Sequence, residues 1–530
     1  MGKEKPIIEI PPPRGWEKFG GGFLATYYIK TNRVFTTLRK YGWIFTVLVA
    51  LGGSFVEPKL GLGVIGIMAG LIGTSFFKGR YWCGNICPHG SLFDSLIHPI
   101  SLNKNIPGFL KSKPMILGFF IFFMYNFGGN TLNALQHWGD ASFWDRLGMV
   151  FSRTYLMVFV VGGLLGLIRN PRTWCQFCPM GTLEKGSYAL GTKLNLNKST
   201  DKKLTIESKE KCHACGKCAR VCPFQLEPYT NFSENNQFDD VNCIRCGTCV
   251  ENCPAGILSF ENEREALELK LNSNLEGYEE RQKIVAIITT INELDKEVKE
   301  FTFAFKDPAK VAYKAGQFIL VKLKGHEKMF RAYSIASYNE DDRKLSVIIK
   351  KVAKGYGTEN IFEHFREGDT VELEGPMGEE LVVARDVKKV LFIGNGIGMT
   401  PFIPLTKDTL LHRKEIEQVT FVHGQRREKD FYYQDYFLEL EKSYQRFDYL
   451  PIASRPEKVE TMKGYVMDGI KNLNLEDHHV YMCGSPRMIR DTMNLLLEKG
   501  VPKERIFYES EEKIKLDDKQ ELTKKNKKSA

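Results

Sequence analysis

A chain of 530 residues exceeds the size of one ordinary domain and suits three or four, because single hydrophobic cores rarely grow past about 250 residues. The composition, 43% hydrophobic and 26% charged with 22 prolines, argues against long disorder, collagen-like repeats and a wholly membrane-embedded protein. The net charge of +10 does not indicate a nucleic-acid partner, because acidic and basic residues alternate closely after residue 170. The 13 cysteines are too few for a disulfide scaffold, yet they are regularly spaced.

Apolar stretches concentrate before residue 170, and four of them approach the roughly 20 residues that a helix needs to cross a bilayer. They cover residues 41–56, 60–77, 114–132 and 147–168. The first is short and contains Gly52 and Gly53, so by itself it could be a buried core helix. Beside the other three we interpret it as a span, which predicts a four-helix transmembrane domain over residues 41–190.

Lysine and arginine are unevenly distributed around these stretches. Basic residues occur before the first stretch, over residues 30–40, and after the second, over residues 78–113, whereas the loop 130–146 has only Arg146. The positive-inside rule therefore predicts that the chain begins and ends in the cytoplasm, with four crossings of the cytoplasmic membrane. Residues 1–40 are then a basic cytoplasmic N-terminal segment, and everything after residue 169 is cytoplasmic.

Two cysteine pairs follow the second and fourth stretches and therefore lie on one side of the predicted membrane. They are Cys83-Gly-Asn-Ile-Cys87-Pro88 and Cys175-Gln-Phe-Cys178-Pro179. Because a [4Fe–4S] cubane usually takes four thiolates, the two pairs together can complete one site. A structural zinc and a set of buried thiols remain alternatives. A Cys-Pro pair after a short spacer, found twice, favours iron and sulfur.

The sequences Tyr-Trp-Cys-Gly-Asn-Ile-Cys-Pro-His-Gly at 81–90 and Trp-Cys-Gln-Phe-Cys-Pro-Met-Gly at 174–181 resemble motifs of a known family. It is the membrane-bound polyferredoxin family that includes accessory proteins of periplasmic nitrate reductase and nitrous-oxide reductase. The resemblance covers about residues 40–190. The usual motif of the family is Cys-x3-Cys-Pro, and the second copy here has two intervening residues. The resemblance implies a membrane domain with an iron–sulfur site.

A polar, lysine-rich linker over residues 195–211 precedes two runs of the form Cys-x2-Cys-x2-Cys-x3-Cys-Pro. This is the bacterial two-cluster signature, in which the fourth cysteine of each run binds the other cubane. Cluster A is therefore predicted on Cys212, Cys215, Cys218 and Cys253, and cluster B on Cys243, Cys246, Cys249 and Cys222. The stretch resembles a bacterial-type α+β ferredoxin over residues 205–262. We expect His213, between two ligands, at the surface.

The remainder of the chain changes from strand patterns to alternating strands and helices. Stretches rich in β-branched and aromatic residues at 284–290, 298–305, 318–323, 345–352 and 371–373 predict an antiparallel β-barrel over residues 281–385. From residue 388, strands at 390–393, 419–422 and 480–482 alternate with helices that begin near residues 399, 432 and 488. This alternation predicts an α/β domain with a parallel sheet over residues 386–510.

Four short motifs follow one another in this part of the chain. They are Arg331-Ala-Tyr333-Ser334, Lys354-Gly355-Tyr-Gly357-Thr358, Gly394-Asn-Gly396-Ile-Gly398 and Cys483-Gly484-Ser485-Pro486. Alone, the glycine-rich motif could be only a tight turn, although glycines also let the backbone approach a pyrophosphate. Together, the four motifs resemble those of the ferredoxin-NADP reductase superfamily over about residues 281–510.

This resemblance implies an FAD site. Arg331 would pair with the FAD phosphates, Tyr333 would stack on the flavin, and Ser334 would approach its reactive nitrogen. Gly355 and Thr358 would hold the FAD pyrophosphate. Taken singly, these residues could instead be a surface arginine, a core tyrosine and loop residues, but their family order favours the cofactor.

The resemblance also implies a nicotinamide nucleotide site. The residues that would form it are Gly394, Gly396, Gly398, Thr400 and Gly484, with Cys483 beside the nicotinamide as a catalytic residue together with Tyr333 and Ser334. Ser454 and Arg455 follow a strand where this superfamily often binds a 2′-phosphate, and Arg426 and Arg427 could contribute. These residues favour NADPH, and NADH remains open.

In chain order, the predicted parts form one electron relay. Nicotinamide exchanges hydride, iron–sulfur clusters take single electrons, and a flavin does both. We therefore expect a membrane-bound oxidoreductase that passes electrons between NAD(P)H, FAD, three [4Fe–4S] clusters and a quinone or membrane redox partner. The alternatives are an accessory, maturation or regulatory electron donor for a respiratory metalloenzyme, and a reductase that works in reverse with soluble ferredoxin. Residues 511–530 are expected to be a disordered basic tail.

Overall fold

The computed structural model describes residues 28–510, except residues 327, 339, 354, 459 and 460. The first 27 residues of the predicted N-terminal segment, the predicted tail at 511–530 and Lys354 lie outside the described residues. The chain forms two compact units. The first unit runs to Lys209 and adds Gly216–Cys253 and Ile257–Ser273, and the second comprises Glu210–Cys215, Pro254–Gly256 and the chain from Asn274 onward.

Four long helices dominate the first unit: α1 (Pro58–Lys78), α2 (Lys113–Leu135), α3 (Phe143–Ile168) and α4 (Pro179–Lys193). The hydroxyl of Ser112 caps α2 by accepting a hydrogen bond from the backbone N–H of Met115 over 3.4 Å. Shorter helices and helical turns lie at Thr37–Tyr41, Trp43–Val47, Leu48–Gly52, Gly53–Phe55, Tyr81–Asn85, Pro88–Leu92, Phe93–Ile97, Gly108–Lys111, Trp174–Gln176, Lys217–Arg220, Pro228–Thr230 and Thr248–Glu251.

Three of these helices, α1, α2 and α3, are long and apolar enough to cross a membrane. They contain the predicted stretches 60–77, 114–132 and 147–168. Within the predicted stretch 41–56 the chain is helical over residues 43–55, which is shorter than the roughly 20 residues needed to cross a bilayer, and it leaves the helical conformation at Val56, where φ is −122° and ψ is −63°. The first of the four predicted spans therefore stays a prediction.

The ferredoxin part of the first unit begins earlier than expected. Strand β1 (Lys203–Ile206) pairs antiparallel with β2 (Leu258–Glu261), so the prediction of a polar linker over 195–211 was wrong at β1. Leu204 and Ile206 are each only 1% exposed, and their burial holds this short strand in place. Helix α5 (Glu263–Leu271) follows β2 and begins with a capping box.

An antiparallel six-stranded sheet forms the first half of the second unit. Its strands are β3 (Gln282–Asp295), β4 (Val298–Asp307), β5 (Phe318–Lys322), β6 (Phe330–Ser334), β7 (Lys344–Lys350) and β8 (Thr370–Met377), in the order β6-β5-β8-β3-β4-β7. A single bridge between Ile335 and Val347 joins the two edges of the sheet. Helix α6 (Tyr356–His364) follows β7.

A parallel six-stranded sheet forms the other half. Its strands are β9 (Lys389–Asn395), β10 (Gln418–Gln425), β11 (Phe447–Ala453), β12 (Met462–Lys463), β13 (His478–Cys483) and β14 (Ile506–Glu509), in the order β12-β11-β10-β9-β13-β14. The helices are α7 (Phe402–His412), α8 (Gln434–Ser443) and α9 (Pro486–Glu498), with short helices at Gly396–Met399, Glu428–Asp430, Val466–Ile470 and Lys503–Arg505. The strand order reverses at β9, and ligands of such sheets bind at the carboxyl ends of strands beside this point.

Three helix starts differ from the sequence prediction, each for a local reason. The helix expected from residue 399 begins at Phe402, because Gly396–Met399 form a 3₁₀ turn first. Helix α8 begins at Gln434 because Tyr433 has a left-handed φ of +61°. Helix α9 begins at Pro486, two residues earlier than expected, because the preceding serine is its N-cap.

Helix α4 approaches α1 so closely that a Cβ added at Gly191 would lie 2.2 Å from the carbonyl oxygen of Phe76. Gly191→Ala is therefore expected to separate the helices and to destabilise the protein by about 1–3 kcal/mol. Gly186→Ala, on the same helix, is the matched control because its Cβ would meet nothing within 4 Å. The control should gain up to about 1 kcal/mol of helix propensity. Equal unfolding midpoints for the two variants in detergent, followed by tryptophan fluorescence, would contradict the close approach.

Candidate functional site

The two membrane-side cysteine pairs have the same local arrangement. In each pair the first cysteine, Cys83 or Cys175, lies in a short helical turn and is buried. The second, Cys87 or Cys178, is the N-cap of the following helix, whose first residue is proline. Proline suits that position because its φ is already helical and the missing N–H would have no intrahelical partner. The Cys-Pro pair therefore fixes where the helix begins after the thiol.

Two buried arginines connect the two cysteine loops. Arg80 Nη2 lies 3.6 Å from Cys83 Sγ and donates to the carbonyl oxygen of Cys175 over 3.4 Å. Arg172 Nη1 lies 3.5 Å from Cys175 Sγ and donates to the carbonyl oxygen of Cys83 over 3.3 Å. Each guanidinium thus contacts the thiol of one loop and the backbone of the other, which brings Cys83 and Cys175 together.

The surroundings of these thiols fit an iron–sulfur cluster. One packed hydrophobic cluster contains Cys83, Cys175 and Cys178. Burial, with the neighbouring Cys175 thiol, raises the pKa of Cys87 to about 11 and that of Cys178 to about 12. Such thiols ionise when a cation binds among them. The indole N–H groups of Trp82 and Trp174 are buried without a hydrogen-bond partner in the described chain, and they could donate to cluster sulfur.

The zinc alternative gains no support from the geometry. Among the residues that the structure describes, no three His, Cys, Asp or Glu side chains are placed to bind a single metal ion. Tetrahedral zinc needs its ligands about 2.0–2.3 Å from one centre, whereas a cubane spreads four sulfur ligands over four irons. The predicted ligand set itself stays a prediction.

One membrane-side loop packs directly on a ferredoxin cysteine loop within the first unit. A Cβ added at Gly84 would lie 1.8 Å from the carbonyl oxygen of Ile244. Asn85 Nδ2 donates to the carbonyl oxygen of Arg245 over 3.1 Å. Cys246 packs against the same hydrophobic cluster as the membrane-side cysteines. The two loops are therefore in backbone contact, which sequence spacing alone did not indicate.

The four cysteines predicted for cluster B all lie in the first unit. Cys249 is within electrostatic range of Cys222, Cys243 and Cys246, and also of Cys218 from the predicted cluster A set, so the division of ligands between the clusters stays a prediction. Gly247 turns the backbone inside this run with a φ of +79°. The set predicted for cluster A is divided, because Cys212 and Cys215 belong to the second unit and Cys218 and Cys253 to the first. Cluster A stays a prediction.

The segment 210–215 belongs to the second unit and contacts the sheet that carries the predicted flavin residues. His213 is half-buried, with its ring edge-on to Phe318 at a centroid distance of 5.0 Å, so the prediction of a surface position was wrong. Arg331 Nη1 donates to the carbonyl oxygen of Cys215 over 2.9 Å. The first cysteines of the ferredoxin run thus lie beside a predicted FAD ligand.

The predicted flavin residues of β6 are Arg331, Tyr333 and Ser334. Arg331 packs against the start of α6, where a Cβ added at Gly357 would lie 2.4 Å from Arg331 Nε. Gly355 is the N-cap of α6, and Thr358 Oγ1 donates to its carbonyl oxygen over 3.1 Å. A guanidinium beside a glycine-lined helix N-terminus favours anions, which fits the FAD pyrophosphate. Tyr333 is half-buried opposite Ile319 of β5.

A carboxyl group that was not predicted from the sequence joins two predicted catalytic residues. Ser334 Oγ donates to Glu509 Oε2 over 3.1 Å, and Glu509 pairs with Cys483 across β13 and β14. Burial raises the pKa of Glu509 to about 7, and the charge of Glu380 contributes to this shift. The Glu509 carboxyl can therefore gain or lose a proton near neutral pH. Its only signal in the sequence is its place after the aromatic pair at 507–508.

A cavity of about 780 Å³ opens at the carboxyl ends of β9, β10 and β11. Of the predicted nucleotide residues and their neighbours, Gly396, Arg426, Arg427, Ser454 and Arg455 line it. Three residues that were not predicted from the sequence line it as well: Asn395, Tyr465 and Arg487. Four arginines around one cavity fit a phosphorylated ligand, because guanidinium groups bind phosphate through paired hydrogen bonds.

The glycines around this cavity have different roles. Gly396 has a left-handed φ of +59° and open space where a Cβ would lie, which fits a ligand close to the backbone. At Gly398, a Cβ would lie 2.3 Å from the carbonyl oxygen of Cys483. At Gly484, a Cβ would collide with the side-chain oxygen of Asn395. Gly398 and Gly484 therefore let the ends of β9 and β13 approach each other.

Several predicted nucleotide residues do not line this cavity. They are Gly394, Gly398, Thr400, Cys483 and Gly484. Gly394 pairs with Cys483 across β9 and β13. Thr400 is buried, and its hydroxyl donates to the carbonyl oxygen of Ile397 over 2.6 Å, so it stabilises the turn. Direct contact of these residues with the nucleotide stays a prediction.

Family comparisons match four parts of the chain. A 4Fe-4S binding domain matches residues 60–107 and 153–197, and a 4Fe-4S dicluster domain matches residues 204–254. An oxidoreductase FAD-binding domain matches residues 285–380, and an oxidoreductase NAD-binding domain matches residues 392–494. The first match contains both membrane-side cysteine pairs, and the second contains both ferredoxin runs.

Curated relatives match this chain over part of their length. The reductase component of propane 2-monooxygenase from Rhodococcus jostii is 28% identical over 56% of this chain and 80% of that protein. Phenol hydroxylase P5 protein from Acinetobacter pittii is 27% identical over 41% of this chain and 62% of that protein. One component of the Na⁺-translocating NADH-quinone reductase of Methylococcus capsulatus is 31% identical over 36% of this chain and 51% of that protein.

The four matched domains decide the class of the protein. The predicted combination of ferredoxin-type domains with an FAD- and nicotinamide-binding reductase is confirmed by the domain matches. The alignments to the second and third of these relatives span less than two thirds of their length, so they do not transfer a whole activity to this chain. The chain is an FAD-dependent oxidoreductase that carries 4Fe-4S binding, 4Fe-4S dicluster, FAD-binding and NAD-binding domains in one polypeptide.

Proposed function

We propose that this protein is a membrane-bound oxidoreductase that passes electrons from NAD(P)H to its membrane-side cysteine site and then to a quinone or another membrane redox partner. The observation that supports the proposal is the backbone contact between Gly84 and Ile244, in which the loop of Cys83 and Cys87 lies against the loop of Cys243 and Cys246 within one compact unit. When bound, FAD would exchange hydride with nicotinamide and single electrons with iron–sulfur clusters, of which we propose three.

In the second unit, residues near the ends of β6, β13 and β14 would hold a proton and bind the phosphates of the cofactor. Glu509 would hold a proton at Oε2, and Ser334 would fix the orientation of that carboxyl through its hydrogen bond. Arg331, at the start of α6, would hold the FAD pyrophosphate. Its hydrogen bond to the backbone of Cys215 supports electron transfer toward the ferredoxin cysteines.

In the first unit, α1, α2 and α3 would anchor the protein, with both cysteine loops on the cytoplasmic side. Two of the basic residues counted for the orientation, Arg33 and Arg39, are buried and paired with Asp94. Arg80 is likewise buried and paired with Glu184. The proposed orientation therefore depends on exposed lysines, namely Lys30, Lys40, Lys78, Lys104 and Lys113.

A cavity of about 670 Å³ between α2 and α3 supports a quinone as the acceptor. Phe119 lines this cavity and contacts the ring of Phe177 edge-on at a centroid distance of 5.1 Å. Phe177 belongs to the packed cluster of the membrane-side cysteines. Asn130 and Arg153 also line the cavity and offer donors for quinone carbonyl oxygens. The relative from Methylococcus capsulatus is part of an NADH-quinone reductase, which also favours a quinone.

The central test replaces one membrane-side ligand. Cys178→Ser should lower the iron content from about twelve to about eight atoms per chain, because one cubane is lost. Reduction of a short-chain ubiquinone or menaquinone analogue by NAD(P)H in detergent should fall at least about tenfold. Reduction of ferricyanide should be unchanged, because that acceptor takes electrons directly from the flavin side.

The ferricyanide rate is the internal control, and an unchanged elution volume in gel filtration shows that the variant is folded. The proposal is wrong if folded Cys178→Ser keeps the wild-type iron content, or if it keeps the wild-type rate of quinone reduction.

The raised pKa of Glu509 predicts that the stability and the reductase activity of the protein depend on pH. Since burial raises the pKa of Glu509 from 4.5 to about 7, its neutral form is favoured by folding. Its contribution to stability is complete below pH 4.5 and is lost as the pH rises through about 7. Thermal stability of the wild type should fall over this range relative to Glu509→Gln. The ferricyanide rate should show a step near pH 7 that Glu509→Gln lacks.

Glu380→Gln is the matched control for this titration. Because the Glu380 carboxylate helps to raise the pKa of Glu509, its removal should move the step to lower pH without abolishing it. A step that persists unchanged in Glu509→Gln would assign the titration to another group.

We propose that the protein prefers NADPH and that Arg455 determines this preference by binding the 2′-phosphate. Arg455→Leu should lower kcat/KM for NADPH by about 10- to 100-fold, the effect of losing a charge-assisted hydrogen bond of about 1.5–3 kcal/mol. The kcat/KM for NADH should change by less than about threefold, because NADH lacks the 2′-phosphate. Arg455→Lys keeps the charge and should retain part of the NADPH activity. An equal loss for both coenzymes would contradict the assignment.

A further inference from the structure

Three arginines surround one carboxylate inside the first unit. Arg172 donates to Asp94 through Nη2 over 2.8 Å and through Nε over 3.2 Å. Arg39 forms an ion pair with Asp94, and Arg33 Nη1 lies 3.9 Å from it. All four residues are at most 3% exposed. We call this group of Asp94, Arg33, Arg39 and Arg172 the Asp94 node.

The charges of the Asp94 node do not balance by themselves. Three guanidinium groups meet one carboxylate, which leaves buried positive charge. Two nitrogens of Arg33 (Nε and Nη1) and two of Arg39 (Nε and Nη1) are buried without a hydrogen-bond partner among the residues described. A buried, unpaired cation costs several kcal/mol. The node therefore requires anionic groups nearby.

The groups that can supply this negative charge are the cysteines of two predicted clusters. Arg172 lies within electrostatic range of three membrane-side thiols, those of Cys83, Cys87 and Cys175. Arg33 lies within the same range of two cluster B thiols, those of Cys222 and Cys246. Arg39 interacts with one thiol of each set, Cys87 and Cys246. The Asp94 node thus lies between the membrane-side set and the cluster B set, all in the first unit.

The two sets differ in their direct contacts with cations. On the membrane side, Arg172 Nη1 is 3.5 Å from Cys175 Sγ and Arg80 Nη2 is 3.6 Å from Cys83 Sγ. Arg80 is paired with Glu184, whose Oε2 is 3.4 Å from Arg80 Nε and 2.7 Å from Cys83 Sγ, so these two opposite charges offset each other beside Cys83 and the unbalanced charge is that of the node beside Cys175. In the cluster B set, the Cys246 thiol contacts a neutral hydroxyl, that of Thr248, at 3.3 Å.

We propose that the Asp94 node raises the reduction potential of the membrane-side cluster above that of cluster B, so that electrons collect at the membrane. This inference rests on the proposed function and adds the direction of electron flow. Reduction adds negative charge to a thiolate-bound cluster, and nearby cations in a low-dielectric interior stabilise that charge. The cations closest to sulfur are on the membrane side, so the gain is larger there.

The electron balance of this step is simple. With clusters bound, one electron would leave the cluster held by Cys222, Cys243, Cys246 and Cys249, which would be oxidised. It would enter the cluster held by Cys83, Cys87, Cys175 and Cys178, which would be reduced. No bond forms or breaks and no proton is needed. A hydride from NAD(P)H supplies two electrons, so two such transfers follow each turnover.

The first test is a redox titration of the full-length wild-type protein in detergent, followed by electron paramagnetic resonance. We expect the membrane-side signal, identified by its loss in Cys178→Ser, to appear at a higher potential than the cluster B signal. A lower potential for the membrane-side signal would overturn the inference while leaving the relay possible. Absence of any membrane-side signal from iron-replete wild type would instead overturn the proposed function.

The second test uses three variants of the Asp94 node. Arg172→Gln should lower the membrane-side potential so that its reduced-to-oxidised ratio at a fixed potential falls at least about tenfold, which is about 59 mV for a one-electron couple. Arg172→Lys keeps the charge and should shift the potential less. Arg33→Gln should lower mainly the cluster B potential, because Arg33 interacts with Cys222 and Cys246.

Iron content shows whether each variant retains its clusters. If iron-replete Arg172→Gln keeps the wild-type membrane-side potential, the inference is wrong. If Arg172→Gln loses the membrane-side cluster, Arg33→Gln decides the question, and unchanged potentials in that iron-replete variant would show that the node is only structural and that the inference is wrong.

Discussion

The first unit depends on the direct backbone contact between two cysteine loops. Gly84 leaves no room for a Cβ against the carbonyl oxygen of Ile244, so the membrane-side loop and the ferredoxin loop meet without side chains between them. The helices support this contact, because α1 and α3 end shortly before the two membrane-side cysteine pairs. Arg80 and Arg172 then join those pairs to each other. Close spacing of the two sites follows from local geometry that a single methyl group would disturb.

In the second unit, the central position of β9 in the parallel sheet determines where the candidate nucleotide cavity lies. This strand lies between β10 and β13, and the cavity of about 780 Å³ opens where the carboxyl ends of β9, β10 and β11 lie side by side. The same sheet brings Cys483 next to Glu509, which in turn contacts Ser334 of the antiparallel sheet. A proton-holding carboxyl is thus placed where the two halves of the second unit meet.

The sequence alone was enough to predict those sites whose chemistry requires several residues close together in the chain. The cysteine runs and the glycine motifs are recognisable because one cofactor needs several ligands from one short loop. The sequence could not predict contacts between side chains that are far apart along the chain. Arg172 and Asp94 are 78 positions apart, and Ser334 and Glu509 are 175 positions apart. Strand β1 was missed because its apolar residues gain their burial only from the later strand β2. Hydropathy likewise could not show that the helix of the 41–56 stretch ends before Val56, short of a full span.

The burial of the membrane-side cysteines has a consequence for biogenesis. Cys83 is 7% exposed and Cys175 is 8% exposed, and two arginines close the space between their loops. A cluster held by these thiols would therefore have to enter before the loops after α1 and α3 close over them. Its insertion would then be coupled to the last steps of folding, whether it arrives preformed or is built in place.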